Sequence, residues 1–451
     1  MQERLLENPM RKLFTATLTA VACLASPAHA GDLLQLYRDA LANDAQFASA
    51  RAALAAGQER VFQGRAGLLP VVGATGSHAQ ANDDVRLSSP PDSMSSSYTA
   101  KSYAVTLTQP LFRWSNWQQY QQGKLATAIS QAQFEQAKQD LIVRTAQAYF
   151  DLLAAQDTLT TISALKTATA QQLAWAKRNF EVGVTGITDT QEAQARFDLA
   201  WAQELQAQND QDIKRSALRQ LIGKDVSDLA PLRAGVKLAA PEPAQIGVWA
   251  HNAEQNNFSV IAQQLALEVA HREIGKSRAG HLPTLDLVAS RSHRNQGDSA
   301  LGPAGIVNST AVGVQWSIPL YAGMSVSSRV RESIALEDKA RHDLETARRT
   351  AALGARQAYI GVSGGLAQVQ ALESAEVSSQ SSLESNLKGY QIGVRINIDV
   401  LNAQQQLYST RRDLAQARYN TILNGLRLKS AAGTLIEADL AEVNALLQGS
   451  K

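Results

Sequence analysis

Few residues in this chain are spaced for chemistry, and most of those fail on inspection. Seven histidines stand at 29, 78, 251, 271, 281, 293 and 342, without a His-x-x-x-His pair or an acidic partner at ligand spacing. A metal site is therefore not expected. Ser163-Ala164-Leu165-Lys166 has the Ser-x-x-Lys spacing of penicillin-binding enzymes, but no Ser-Asp-Asn or Lys-Thr-Gly follows it. Chance within a helix accounts for it. No Gly-x-x-x-x-Gly-Lys loop is present, and no strand leads into Gly-x-Gly-x-x-Gly, so neither nucleotide nor any other cofactor is expected, and energy must come from a partner. What remains is charge at two matching turns. NFEVGVTGITDTQEAQA at 179–195 and GYQIGVRINIDVLNAQQ at 389–405 share a skeleton 210 positions apart: Gly183 over Gly393, Asp189 over Asp399, Ala193-Gln194 over Ala403-Gln404. Each glycine permits a reversal of the chain. Each aspartate lies near the start of the returning helix, where an acidic group suits the helix dipole.

The elements that hold these turns are written in the prolines. Beyond residue 30 they fall at 70, 90, 91 and 110, then 231, 241 and 243, then 283, 303 and 319. The gaps 111–230 and 320–451 are where long helices can run. Alanine, glutamine, leucine and lysine fill the first gap, and an unbroken helix from Trp114 to Glu181 would be about 100 Å long. Val400, Leu407, Leu414 and Leu428 keep a heptad register with Ala403 and Ala417 between them, the narrow seam of a coiled coil. Three glycines in GVSGGLAQ at 361–368 interrupt the second long helix, by a local break or by a close helix crossing.

The proline-rich stretches hold strands. Val312, Val314, Trp316, Ile318 and Leu320 alternate with small or polar residues, and Tyr103, Val105 and Leu107 do the same. Partner strands are expected at 69–79 and 282–292, with loops at 82–99 and 295–310, where serine, glycine, asparagine and proline have no periodicity. The whole pattern repeats. Gly67-Leu68-Leu69-Pro70 returns at 280–283, Pro110-Leu111-Phe112 as Pro319-Leu320-Tyr321, and Gln147-Ala148-Tyr149 as Gln357-Ala358-Tyr359. The chain thus divides into a first repeat at 31–223, a linker at 224–245, a second repeat at 246–433 and a closing segment at 434–451. Each repeat reads as helix, strand, loop, strand, long helix, turn, helix.

Arg11-Lys12, the apolar run Leu13 to Ala25 and Ala28-His29-Ala30 have the form of a secretory signal peptide over residues 1–30, with Met10 as a candidate initiator. The single cysteine, Cys23, lies inside it, and Ala20 is a poor lipobox residue, so acylation there is disfavoured. The 43 basic and 41 acidic residues are interspersed and leave a net charge of +2, which gives no footprint for nucleic acid. No later stretch has the 18 or so apolar residues of a spanning helix. If the exported chain enters a membrane it must do so with strands, and four strands are too few for a barrel of about eight or more. Several copies must share one barrel; the alternative is a pair of soluble hairpins capping a coiled coil. Trp316 and Tyr103 among valines fit the aromatic girdle of a lipid-facing surface.

The order of elements, the Pro-Leu-Phe and Pro-Leu-Tyr strand ends, and QSSLESNLKGYQIGVRINIDVLNAQQQLYSTRRDLAQARYN at 380–420 resemble the TolC-type outer-membrane channels of efflux and type I secretion. The resemblance spans nearly the whole mature chain. It implies a mostly α fold with a small β component: a homotrimer with a 12-stranded barrel in outer-membrane lipid, continuing into a periplasmic helical tunnel. It also implies a periplasmic adaptor of the membrane-fusion type and an inner-membrane RND or ABC transporter as partners. In that family the turns form the tunnel tip, where residues at the positions of Tyr390 and Arg395 bond to those at Thr188 and Asp189. Exposed ion pairs contribute only about 0.2–1 kcal/mol each, which suits a reversible latch. Asp399 matches an aspartate that points into the constriction; the second aspartate common in the family is Asn402 here, which lowers the charge of the ring. The competing reading, a periplasmic coiled-coil adaptor, requires one long hairpin and several β-rich domains, whereas this chain has two hairpins and four strands.

Overall fold

The computed structural model describes residues 32–448 apart from 87, 89–92, 227, 234, 300 and 301. The expected signal peptide, with Met10 and Cys23, lies outside the described residues. Two helices dominate. α3 runs from Trp114 to Glu181, 68 residues, and α7 from Ser325 to Gln391, 67 residues, each about 100 Å long. α3 folds back into α4 (Ile187–Ile222), and α7 into α8 (Asn397–Ala431). Each repeat opens with two helices rather than the single one expected: α1 (Leu33–Asn43) with α2 (Ala45–Ala66), and α5 (Ile246–Asn256) with α6 (Phe258–Arg278). The breaks fall on capping residues. Asp44 accepts from the Phe47 amide at 2.9 Å and Asn257 from the Ser259 amide at 2.9 Å, so each starts the next helix.

β1 (Val71–Arg86), β2 (Ser93–Phe112), β3 (Thr284–Gln296) and β4 (Gly305–Ser317) form one antiparallel sheet in that order. The hairpins are longer than their apolar patterns, for strand pairing continues to Arg86 and resumes at Ser93, well inside the segment read as loop. β2 pairs with β3, so the two repeats meet in the sheet. In register, Leu107 lies opposite Val72 and Ala289, Ala289 opposite Val312, Leu287 opposite Val314, and Leu285 opposite Trp316. Residues directly opposite share a face. Tyr103, Val105, Leu107, Val312, Val314 and Trp316 therefore lie on one face, and Ser102, Ala104, Thr106, Ala311 and Gly313 on the other. β1 and β4 are left as open edges. In lipid an open edge leaves backbone groups unpaired at several kcal/mol each, and β4 runs antiparallel to β1, so another copy can close it.

The core sits at mid-length of α3. Leu141, Tyr149, Phe150 and Leu152 pack against Leu33 and Leu36 of α1, Leu218 and Ile222 of α4, Tyr419 and Leu423 of α8, and Leu440 of α9 (Glu437–Asn444). Tyr149 donates to the Ala230 carbonyl at 2.6 Å. Tyr419 donates to Asp157; burial raises the Asp157 carboxyl above its usual range, and the tyrosine's hydrogen bond acts against that rise. Val400, Leu407, Leu414 and Leu428 are buried along one stripe of α8, as their heptad register requires. The glycines of GVSGGLAQ do not break α7. A Cβ on Gly361 would come within 2.6 Å of Asn424, and one on Gly365 within 2.3 Å of Thr421, so the segment is a close crossing of α7 and α8.

Candidate functional site

The two turns are built alike. In the first, Val184 donates to the Asn179 carbonyl at 2.8 Å and Gly183 to Phe180 at 3.0 Å; in the second, Val394 donates to Gly389 at 2.8 Å and Gly393 to Tyr390 at 3.1 Å. This is the Schellman pattern, which needs a left-handed residue after the helix. Gly183 (φ 76°) and Gly393 (φ 79°) supply it. Both turns end in exposed apolar side chains: Val182, Val184 and Ile187 on one, Ile392, Val394 and Ile396 on the other, with Ile392 and Val394 each 75% exposed.

Behind the turns the two hairpins are joined. Leu173, Ala176 and Ala193 of the first pack on Leu401 of the second. Asn397, at the first turn of α8, is fully buried; its Nδ2 donates to the Asp189 carbonyl at 3.2 Å, and its Oδ1 accepts from Gln172. Asn179 donates to the Tyr390 hydroxyl at 3.1 Å, and Arg196 to Asn402 Oδ1 at 3.0 Å. Four residues thus join the hairpins that the pattern of charges did not single out: Gln172, Asn179, Arg196 and Asn397. One signal was present, because Asn397 stands where the first copy has Ile187.

The expected latch residues lie together at this end, with the following partners inside one chain. Tyr390 is bonded to Asn179 rather than to Thr188. Arg395, in the turn itself, reaches Asp399 in the first turn of α8 at 3.6 Å, and its stem lies over Gly389, where a Cβ would be 2.6 Å from it. Thr188 is exposed and Asp189 half-buried. Among the described residues neither the Thr188 hydroxyl nor the Asp189 carboxylate has a hydrogen-bonding or ion-pair partner in the chain. Lys166 of the Ser-x-x-Lys stretch is held by Glu204 across α3 and α4, and its hydrogen bond keeps the Glu204 carboxyl below the usual carboxylate range. Its role is to tie one hairpin. Among the described residues no cluster of histidine, cysteine or carboxylates is arranged to hold a metal, and no helix is long and apolar enough to cross a membrane.

The model of the outer membrane efflux proteins matches residues 36–224 and 249–434, which is both repeats with the linker between them omitted. The chain belongs to that family. An outer membrane efflux protein of this kind is similar over its length to the outer membrane protein TolC of Vibrio cholerae, 32% identical over 445 residues, 98% of this chain and 100% of that one. The alkaline protease secretion protein AprF of Pseudomonas aeruginosa is 33% identical over 97% of this chain and 92% of its own. Among solved structures, the outer membrane protein VceC of Vibrio cholerae has the same fold, with a TM-score of 0.76, 19% identity, and coverage of 89% of this chain and 96% of that one. The efflux protein is accordingly a TolC-type outer-membrane channel protein, with a four-stranded sheet and a periplasmic helical domain.

Proposed function

We propose that the trimer is the exit duct of a tripartite efflux pump or type I secretion system, passive itself and gated at the helix turns. In this reading the face with Tyr103, Val105, Leu107, Val312, Val314 and Trp316 meets lipid, and the opposite face lines the barrel. The periplasmic mouth is closed by Tyr390 and Arg395 on one hairpin against Thr188 and Asp189 on another. One observation carries the gate: Asp189 and Thr188 are unpartnered within the chain, while Arg395, the cation nearest the second turn, is exposed and holds Asp399 only loosely. An acidic acceptor and a loosely held guanidinium at the same end are free to meet when copies are assembled. The apolar turns favour a docking partner, since contiguous exposed valine and isoleucine at a projecting tip mark an interaction surface. A periplasmic adaptor of the membrane-fusion type would sit there, coupling the duct to an RND or ABC transporter that supplies the energy. The adaptor reading of this chain itself is not favoured, because the sheet leaves two edges that a barrel of several copies closes.

Fractionation and reconstitution test the duct. The protein should be recovered in the outer membrane, run as a heat-dissociable trimer on unheated gels and conduct ions across a planar bilayer without nucleotide. A soluble monomer, or a trimer that does not conduct, refutes it.

A further inference from the structure

The face proposed to meet lipid does not stay apolar. Along β3 it runs Leu285, Leu287, Ala289, then Arg291 and His293; on β2 it passes from Leu107, Val105 and Tyr103 to Lys101. Register places His293 opposite Tyr103 and Asn308, and Lys101 opposite His78. From Trp316 to Thr310 and Asn308, the residues opposite Arg291 and His293, the strand spans roughly 20 and 26 Å, or about 15 and 20 Å in height after barrel tilt. The latter is close to an apolar band of about 25 Å. The change to cationic residues therefore falls at the rim of the band, at the end of the sheet away from the helices, which is the outer leaflet.

Three details make this rim a surface for a particular partner. Arg291 and Lys101 have no anionic partner among the described residues, and the one acidic side chain on this face, Asp84, is three rows beyond His78. Tyr103 is exposed and stacks on His293, with ring centroids 6.4 Å apart, offering a flat aromatic surface between the two cations. His293 Nδ1 is hydrogen-bonded to Asn308 Oδ1 at 2.7 Å, which holds the ring against Tyr103. Lys101 and Arg291 are four residues apart in register, about 13 Å along the strand, so one large headgroup can reach both. Opposite charge at a membrane rim is retained strongly because it is only partly screened there.

We propose that this rim docks the phosphorylated glycolipid of the outer leaflet, with Arg291 and Lys101 receiving its phosphates and Tyr103 stacking on its sugar. The proposal rests on the lipid orientation of this face. That orientation has its own test: a spin label at Val314→Cys should collide with oxygen and be shielded from aqueous nickel.

The docking test uses the delipidated trimer in nanodiscs of zwitterionic lipid, offered bis-phosphorylated lipid A and counted by native mass spectrometry. Wild type should retain it. The Lys101→Gln/Arg291→Gln double variant should lose roughly fivefold in retention per charge removed. Lipid A stripped of phosphate should bind wild type as poorly as phosphorylated lipid A binds the variant, and inorganic phosphate should not compete. Arg294→Gln, three residues along β3 from Arg291 and so on the opposite face, should behave as wild type. Equal retention by the double variant overturns the proposal, and so does equal retention of the dephosphorylated lipid or of phosphatidylglycerol by wild type. Should the double variant fail to assemble, the two forms of lipid A on wild type decide the question alone.

Discussion

Asn397 Nδ2 reaches from the start of α8 to the backbone carbonyl of Asp189 at the start of α4, 3.2 Å away, and this fully buried amide ties the two helix turns of the chain together. Its Oδ1 accepts from Gln172, so a single side chain satisfies groups on both arms of the first hairpin. Asn397→Ala leaves the buried Gln172 amide without its partner and removes the tie to α4, at a cost of about 1–3 kcal/mol. The expected result is faster amide exchange confined to the turns and their flanking helices, with the mid-length core unchanged. Exchange that rises everywhere, or nowhere, goes against the tie.

In the proposed trimeric duct, Asp399 is the residue we assign to the constriction, one acidic group from each copy. Three of them make a ring that attracts cations, as charged rings do in other channels. Arg395, 3.6 Å away, and the neutral Asn402 keep its field modest. Trivalent cations should block conductance in planar bilayers, and Asp399→Ala should weaken the block by about tenfold or more, at least 1.4 kcal/mol per decade. A block that ignores the substitution removes the ring from the account.

Glycine contacts give a stability prediction with an internal contrast. A Cβ on Gly123 of α3 would stand 2.6 Å from the Arg60 carbonyl of α2, and backbone cannot step aside. Gly123→Ala should lower stability by about 1–3 kcal/mol, the usual cost of overpacking. Gly365→Ala meets only the Thr421 side chain and should cost less. Heat-dissociation of the trimer on gels ranks the two.

Asp44 supplies a pH dependence. The Arg144 guanidinium, 2.6 Å away, holds its carboxyl below the usual carboxylate range, against a smaller opposing effect of burial. A depressed carboxyl contributes stability above its unfolded pKa of roughly 4, and the contribution is lost as pH falls through the lower folded value. Asp44→Asn keeps a capping side chain for α2 but removes the charge, at about 1–3 kcal/mol. The variant's trimer should dissociate at lower temperature than wild type at neutral pH, and the gap should narrow in acid. A gap that is constant with pH would falsify the ion-pair account of this site.

Much of this architecture is legible in the residues, and the exceptions have physical causes. The proline gaps outline α3 from Trp114 to Glu181, and the heptad of Val400, Leu407, Leu414 and Leu428 marks a buried stripe. Strand ends are harder, because beyond Tyr103 and Ala289 the strands are mostly serine, threonine and asparagine, and the few apolar residues there, such as the adjacent Ile306 and Val307, do not alternate. The extra helix breaks rest on Asp44 and Asn257, which read equally well as surface residues until their caps are seen. Pairing of β2 with β3 is a contact between repeats, and each repeat's own pattern is silent on it. At the turns, Gly183, Gly393 and the charges stand out, whereas Asn397 and Gln172 look like ordinary polar residues of an exposed helix. Their burial depends on where the second hairpin lies.

In the proposed duct, weak bonds between hairpin turns close an otherwise continuous passage. Single-channel conductance of the Tyr390→Phe/Arg395→Ser double variant in planar bilayers tests it most directly, because the first change removes the hydroxyl that accepts from Asn179 and the second removes the mobile cation. With links of about 0.2–1 kcal/mol each, loss of both in all three copies should shift the channel to a state of several-fold higher conductance. Conductance equal to wild type, in a trimer that still assembles, would contradict the account.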